Sequence, residues 1–106
     1  MDMNANLSSG IEHTVFFKLK TASGSEAEAA FFDAAKQLAL IPGVKNFKVL
    51  KQISAKNNFD YGLSMHFDST EEYYNYNSHP QHVAFIQEYW MKNVEDFLEI
   101  DHTEIV

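Results

Sequence analysis

The sequence predicts an α+β domain: one antiparallel sheet with helices on one face, in the order β-α-β-β-α-β. Three observations carry that reading. Residues 11–20 alternate strictly, with His13, Val15, Phe17 and Leu19 on one side and Glu12, Thr14, Phe16 and Lys18 on the other. Ser25-Glu26-Ala27-Glu28 and Ser69-Thr70-Glu71-Glu72 are capping boxes that open stretches of helical periodicity. Two apolar runs, 44–53 and 59–67, flank the polar stretch 54–58, as the arms of a hairpin do.

The elements follow in order. The first strand, 11–20, carries bulk on both faces and is expected at the centre of the sheet. Residues 21–24 form a loop. The helix after Ser25 presents Ala27, Ala30, Phe31, Ala34, Leu38 and Ile41 as one apolar stripe, and Pro42-Gly43 ends it. The second strand, 44–53, points Phe47 and Val49 inward. The third, 59–67, alternates Tyr61, Leu63, Met65 and Phe67 with Gly62, Ser64 and His66. The second helix is broken in two. A first piece runs from Ser69 to about Asn77, and Pro80 suits the first turn of the next. That piece carries Val83, Ile86 and Trp90, flanked by Phe85 and Tyr89. Residues 93–96 interrupt the pattern, and 97–106 form the last strand. This is the ferredoxin-like split βαβ order. It leaves one sheet face bare, and an apolar bare face calls for a partner. Two such sheets packed face to face make a dimeric α/β barrel. The expected assembly is therefore a homodimer, with residues 11–106 as its single domain. Residues 1–10 are polar without an apolar run, and read as a flexible leader rather than a signal peptide.

Composition excludes several functions. The chain of 106 residues has eight Lys, no Arg and a net charge of −7. Without Arg to read guanine edges, and with a charge that repels phosphates, nucleic acid is not an expected partner. Lys45, Lys48, Lys51 and Lys56 read as solvated side chains along a strand and its turn. There is no Cys, so disulfides, thiolate catalysis and Cys-type zinc sites are out. No stretch reaches transmembrane length, and a cytoplasmic protein with no membrane contact is expected.

The chemistry-bearing stretch is Tyr76-Asn77-Ser78-His79-Pro80-Gln81-His82, one phenol and two imidazoles within seven residues. His82, at a helix start, is the candidate general base. Tyr76 is its candidate hydrogen-bond donor to a developing enolate oxygen. His13, His79, Asp101 and Trp90 are the candidate ligand-contacting residues. Each has a plainer structural role open to it: His13 as a satisfied core residue, His79 as a turn cap, Asp101 as a partner for an imidazole or a link across the sheet, Trp90 as core. His79 and His82 with His13 or Asp101 could ligate a metal, but without the characteristic Glu spacing none is expected. No cofactor is expected either. His66 and His102 receive no role.

Several segments together resemble the Dabb family, the stress-responsive dimeric α/β-barrel proteins. They are Ile11-Glu12-His13-Thr14-Val15-Phe16-Phe17-Lys18-Leu19, Ile41-Pro42-Gly43-Val44, Phe67-Asp68-Ser69-Thr70-Glu71-Glu72-Tyr73, the stretch from Tyr76 to Phe85, and Asp101. The likeness covers residues 11–105. Most members have no assigned reaction, so it implies a stress-responsive-type dimer of unassigned reaction, holding a small apolar molecule between sheet and helices. One plant branch cyclises linear polyketides without a cofactor. The resemblance gives His82 the position of the base there, Tyr76 that of its helper and His13 a place in the pocket. That implies, as an alternative, a cofactor-independent cyclase or lyase acting on a carbonyl compound. The chain departs from that branch at Tyr61, where the branch has another pocket histidine. A third alternative, from the wider superfamily, is a monooxygenase.

Overall fold

The computed structural model describes residues 10–105 of the chain. The expected leader, 1–10, lies outside these residues except for Gly10. Four strands form one antiparallel sheet in the order β2-β3-β1-β4. They are β1 (Ile11–Leu19), β2 (Lys45–Lys51), β3 (Tyr61–Phe67) and β4 (Val94–His102). The helices are α1 (Glu26–Lys36), α2 (Thr70–Ser78), α3 (Pro80–Phe85) and the short α4 (Met91–Asn93). α1 runs into a 3₁₀ turn, Gln37–Leu40, and a π turn, Ile86–Trp90, joins α3 to α4. The smallest dimension is 19 Å, which is two layers and no more.

β1 is central, as its two-sided bulk predicts. Its odd-numbered residues are all buried and its even-numbered ones only partly so. The odd face looks at the helices. There Phe17, Phe31, Phe67 and Tyr76 form the middle of the core. The register puts His13 between Met65 and Asp101, and Val15 between Leu63 and Glu99. The odd residues of β4 therefore share the helix side. The other face, with Phe16, Leu98 and Ile100, is left uncovered. Leu98 and Ile100 are 48% and 45% exposed. Gly62 serves this face: a Cβ there would lie 2.9 Å from the Phe16 ring, so glycine lets the ring lie across β3.

Both serines cap their helices. Ser25 Oγ accepts from Glu28 N at 3.2 Å and Ser69 Oγ from Glu72 N at 3.2 Å. Glu28 and Glu72 accept from the amide one residue before the cap, Gly24 and Asp68, rather than from the cap's own. The element ends differ from expectation. β2 is shorter, and a bulge within it, between Lys45 and Lys48, turns the chain, with Asn46 at a φ of 52°. β3 starts at Tyr61 rather than 59. β4 starts at Val94, three residues early, and stops at His102. Its polar opening residues sit on an edge strand, where water satisfies them, so polarity there does not oppose pairing.

Ser69 sets the start of α2, which carries Tyr73 and Tyr76. Ser69→Ala should lower stability by about 1 kcal/mol, read as a shift of the urea midpoint at unchanged slope. No shift would mean the cap contributes nothing.

Candidate functional site

A cavity of about 390 Å³ opens between the helix side of the sheet and the α2–α3 corner. The sheet contributes His13 and Val15 from β1, Leu63 and Met65 from β3, and Phe97 and Glu99 from β4. The helical layer contributes Leu38, Tyr76, His82, Phe85, Ile86, Trp90 and Met91. The size and mostly apolar wall suit a small organic molecule.

The corner is built by Pro80. The residue before a proline avoids helical angles, so α2 ends and His79 takes an extended conformation, φ −63° and ψ 134°. His79 Nδ1 then accepts from Gln81 N at 3.1 Å and caps α3. His79 is thus committed to the turn and does not line the cavity. His82, one turn into α3, has its Nδ1 3.0 Å from the Asn77 carbonyl oxygen. A carbonyl only accepts, so Nδ1 carries the proton, and in the neutral ring Nε2 is the free base. Burial pushes the His82 pKa below the ordinary histidine value. The neutral ring is therefore the dominant form at pH 7.

Tyr76 is 2% exposed, and its ring lies 4.4 Å from that of His82, centre to centre. Among the described residues nothing hydrogen-bonds its hydroxyl. Burial, aided by the Glu99 charge, raises its pKa well above the ordinary value. The phenol stays protonated and is a donor without a committed acceptor.

His13 is held from behind. Its Nδ1–H donates to Asp101 Oδ1 at 2.5 Å, and the Tyr73 hydroxyl donates to Asp101 Oδ2 at 2.6 Å. His13 Nε2 lies 3.7 Å from Glu99 Oε2. Asp101 does not line the cavity; it fixes the ring of His13, which does. Trp90 forms part of the wall and packs edge-on against Phe17 at 5.2 Å. Of the six candidate residues, then, His13, Tyr76, His82 and Trp90 share one cavity, while Asp101 and His79 stand behind it. Sequence reasoning missed Tyr73 and Glu99. Both had a signal: Tyr73 is one helical turn before Tyr76, and Glu99 shares a strand face with Asp101. Among the described residues, no cluster of three or more His, Asp or Glu is arranged to hold a metal ion, and no helix is long and apolar enough to cross a membrane.

Comparison with known proteins agrees with this architecture. A Dabb family protein with a ferredoxin-like fold from Mesorhizobium loti is 47% identical in sequence, with a TM-score of 0.87 over 91% of this chain and 97% of that one. A stress-response A/B barrel domain-containing protein of Arabidopsis thaliana is 28% identical over 93 residues. That match takes in 86% of this chain but 35% of the plant protein, so the chain spans about a third of that relative. Two more distant structures share the fold. A hydroxynitrile lyase from Passiflora edulis is 16% identical, with a TM-score of 0.80 over 92% of this chain and 94% of that one. A dimeric protein of unknown function from Bacteroides fragilis is 20% identical, with a TM-score of 0.69 over 92% and 99%. Residues 11–104 match the stress responsive A/B barrel domain, and the chain belongs to that family, Dabb.

Proposed function

We propose that the cavity holds a small, largely apolar carbonyl compound and that His82 exchanges a proton with it, without a cofactor. The observation that carries this is the pairing of commitments at the α2–α3 corner. His82 Nδ1 is tied to Asn77, which leaves Nε2 as a base. Tyr76 beside it offers a protonated hydroxyl with no protein acceptor among the described residues. A base and a donor on one apolar cavity are what proton abstraction next to a carbonyl requires. The base removes the C–H or O–H proton, and the phenol donates to the oxygen that gains charge. The fold shared with a hydroxynitrile lyase supports chemistry of this kind.

His82→Ala should lower turnover on the order of 10²-fold or more. Tyr76→Phe should cost less, because the ring remains. Melting temperatures should change little in either variant. Because burial lowers the His82 pKa, the rate should rise with pH through a value below the ordinary ~6.5 and stay flat above it. A screen of β-polyketo compounds and aromatic cyanohydrins against wild type and His82→Ala provides the assay. Equal turnover by both proteins would remove His82 from the mechanism.

Two copies pair through the uncovered sheet face in this reading. Its support is the exposed pair Leu98 and Ile100 beside the half-buried Phe16, together with the dimeric relative from Bacteroides fragilis. Sedimentation at micromolar concentration should give twice the chain mass, and Ile100→Asp should shift it toward the monomer. A wild-type monomer would overturn the pairing.

A further inference from the structure

If the cavity holds a small molecule, as proposed above, its charge decides what kind of molecule fits. Among the described residues, no lysine lines the cavity, and Glu99 is its one carboxylate. A second carboxylate, Asp101, lies directly behind His13. His13 therefore stands between two carboxylates, and with its ring neutral or protonated that trio is net negative. His82 does not reverse the sign near neutral pH, because burial disfavours its cation. Tyr73 and Tyr76, the other titratable groups here, stay uncharged for the same reason. Glu99 is half exposed, with its carboxylate turned toward His13. It projects from the helix side of β4, between Phe97 and Asp101, and reaches to 3.7 Å from His13 Nε2.

The walls match that sign. Tyr76, Phe85, Trp90 and Phe97 line the cavity with aromatic rings, and the Trp90 and Phe97 ring centres are 5.6 Å apart. Aromatic faces attract cations, and a carboxylate beside them supplies the counter-charge. A carboxylate ligand would meet two like charges and no lysine. We propose that this cavity selects ligands bearing a protonated amine on an aromatic or aliphatic body, and that Glu99 sets the selection. The amine pairs with Glu99, and the body lies on the aromatic wall. The Glu99 side chain is 53% exposed, so the discrimination is moderate and weakens with salt.

Trp90 is the sole tryptophan of the chain and forms part of the wall, so its fluorescence reports occupancy. The probes are 3-phenylpropylamine, 3-phenylpropanol and 3-phenylpropionate, which share a body and differ in the head. At about pH 8 the amine and the acid are both charged. The amine should bind on the order of tenfold tighter than the carboxylate at ~20 mM salt. In Glu99→Gln the ratio should fall to within about threefold, and in Glu99→Lys it should invert. Thermal melts establish that each variant is folded. Equal binding of amine and carboxylate to wild type, with the alcohol also bound, overturns the charge selection and leaves the cavity reading standing. An amine preference that survives in Glu99→Gln also overturns it. If none of the three probes perturbs Trp90, the cavity reading itself falls, and the charge selection with it.

Discussion

Asp101 joins three parts of the molecule that the chain keeps far apart. One oxygen accepts from His13 on the central strand and the other from Tyr73 on α2. The sheet, its edge strand and the helical layer meet at that carboxylate. Hydrogen bonds to a charged acceptor are the strong ones, and a buried imidazole without such a partner would be costly. This link lets β1 place a polar residue in the middle of an otherwise apolar face. It also fixes which His13 nitrogen carries a proton, and so which one meets the cavity. The position of β4 matters as much. β4 pairs with β1 along its whole length, and that pairing carries Phe97 and Glu99 to the cavity.

The helix–turn–helix corner works by a different constraint. Pro80 forbids a continuous helix, and His79 takes up the first amides of α3. The break brings the His82 ring back against Tyr76, which belongs to the preceding helix. Two residues six apart on a straight helix would face different directions. Here they touch because the chain turns between them. The π turn after α3 then carries Ile86 and Trp90, four residues apart, to the same wall, and the Asn93 side chain satisfies the Tyr89 carbonyl at 2.7 Å.

Much of this was legible in the residues. The alternation of β1, the two capping boxes and Pro80 are local signals, and local signals decide element type. Strand ends were less legible. Asn93 and Glu95 look like a loop, yet Lys20 N donates to the Asn93 carbonyl and β4 starts at once. Only the pairing with β1 reveals that. His13, Tyr76 and His82 could be named from residue type, but their convergence depends on register and on the turn at His79. Glu99 carries no signal of its own in the sequence, where it is one acidic residue of a strand. Its significance comes from what lies across the sheet, which composition does not encode.

The outer edge of β4 has a consequence for how the protein behaves in a crowd. An unpaired edge strand is a template on which other strands can grow. This one has Glu95 and Asp96 near its start, both exposed, and no lysine along its nine residues. Two such edges approaching each other bring their carboxylates together before any backbone bond forms. Charge repulsion thus guards the edge in place of a covering helix.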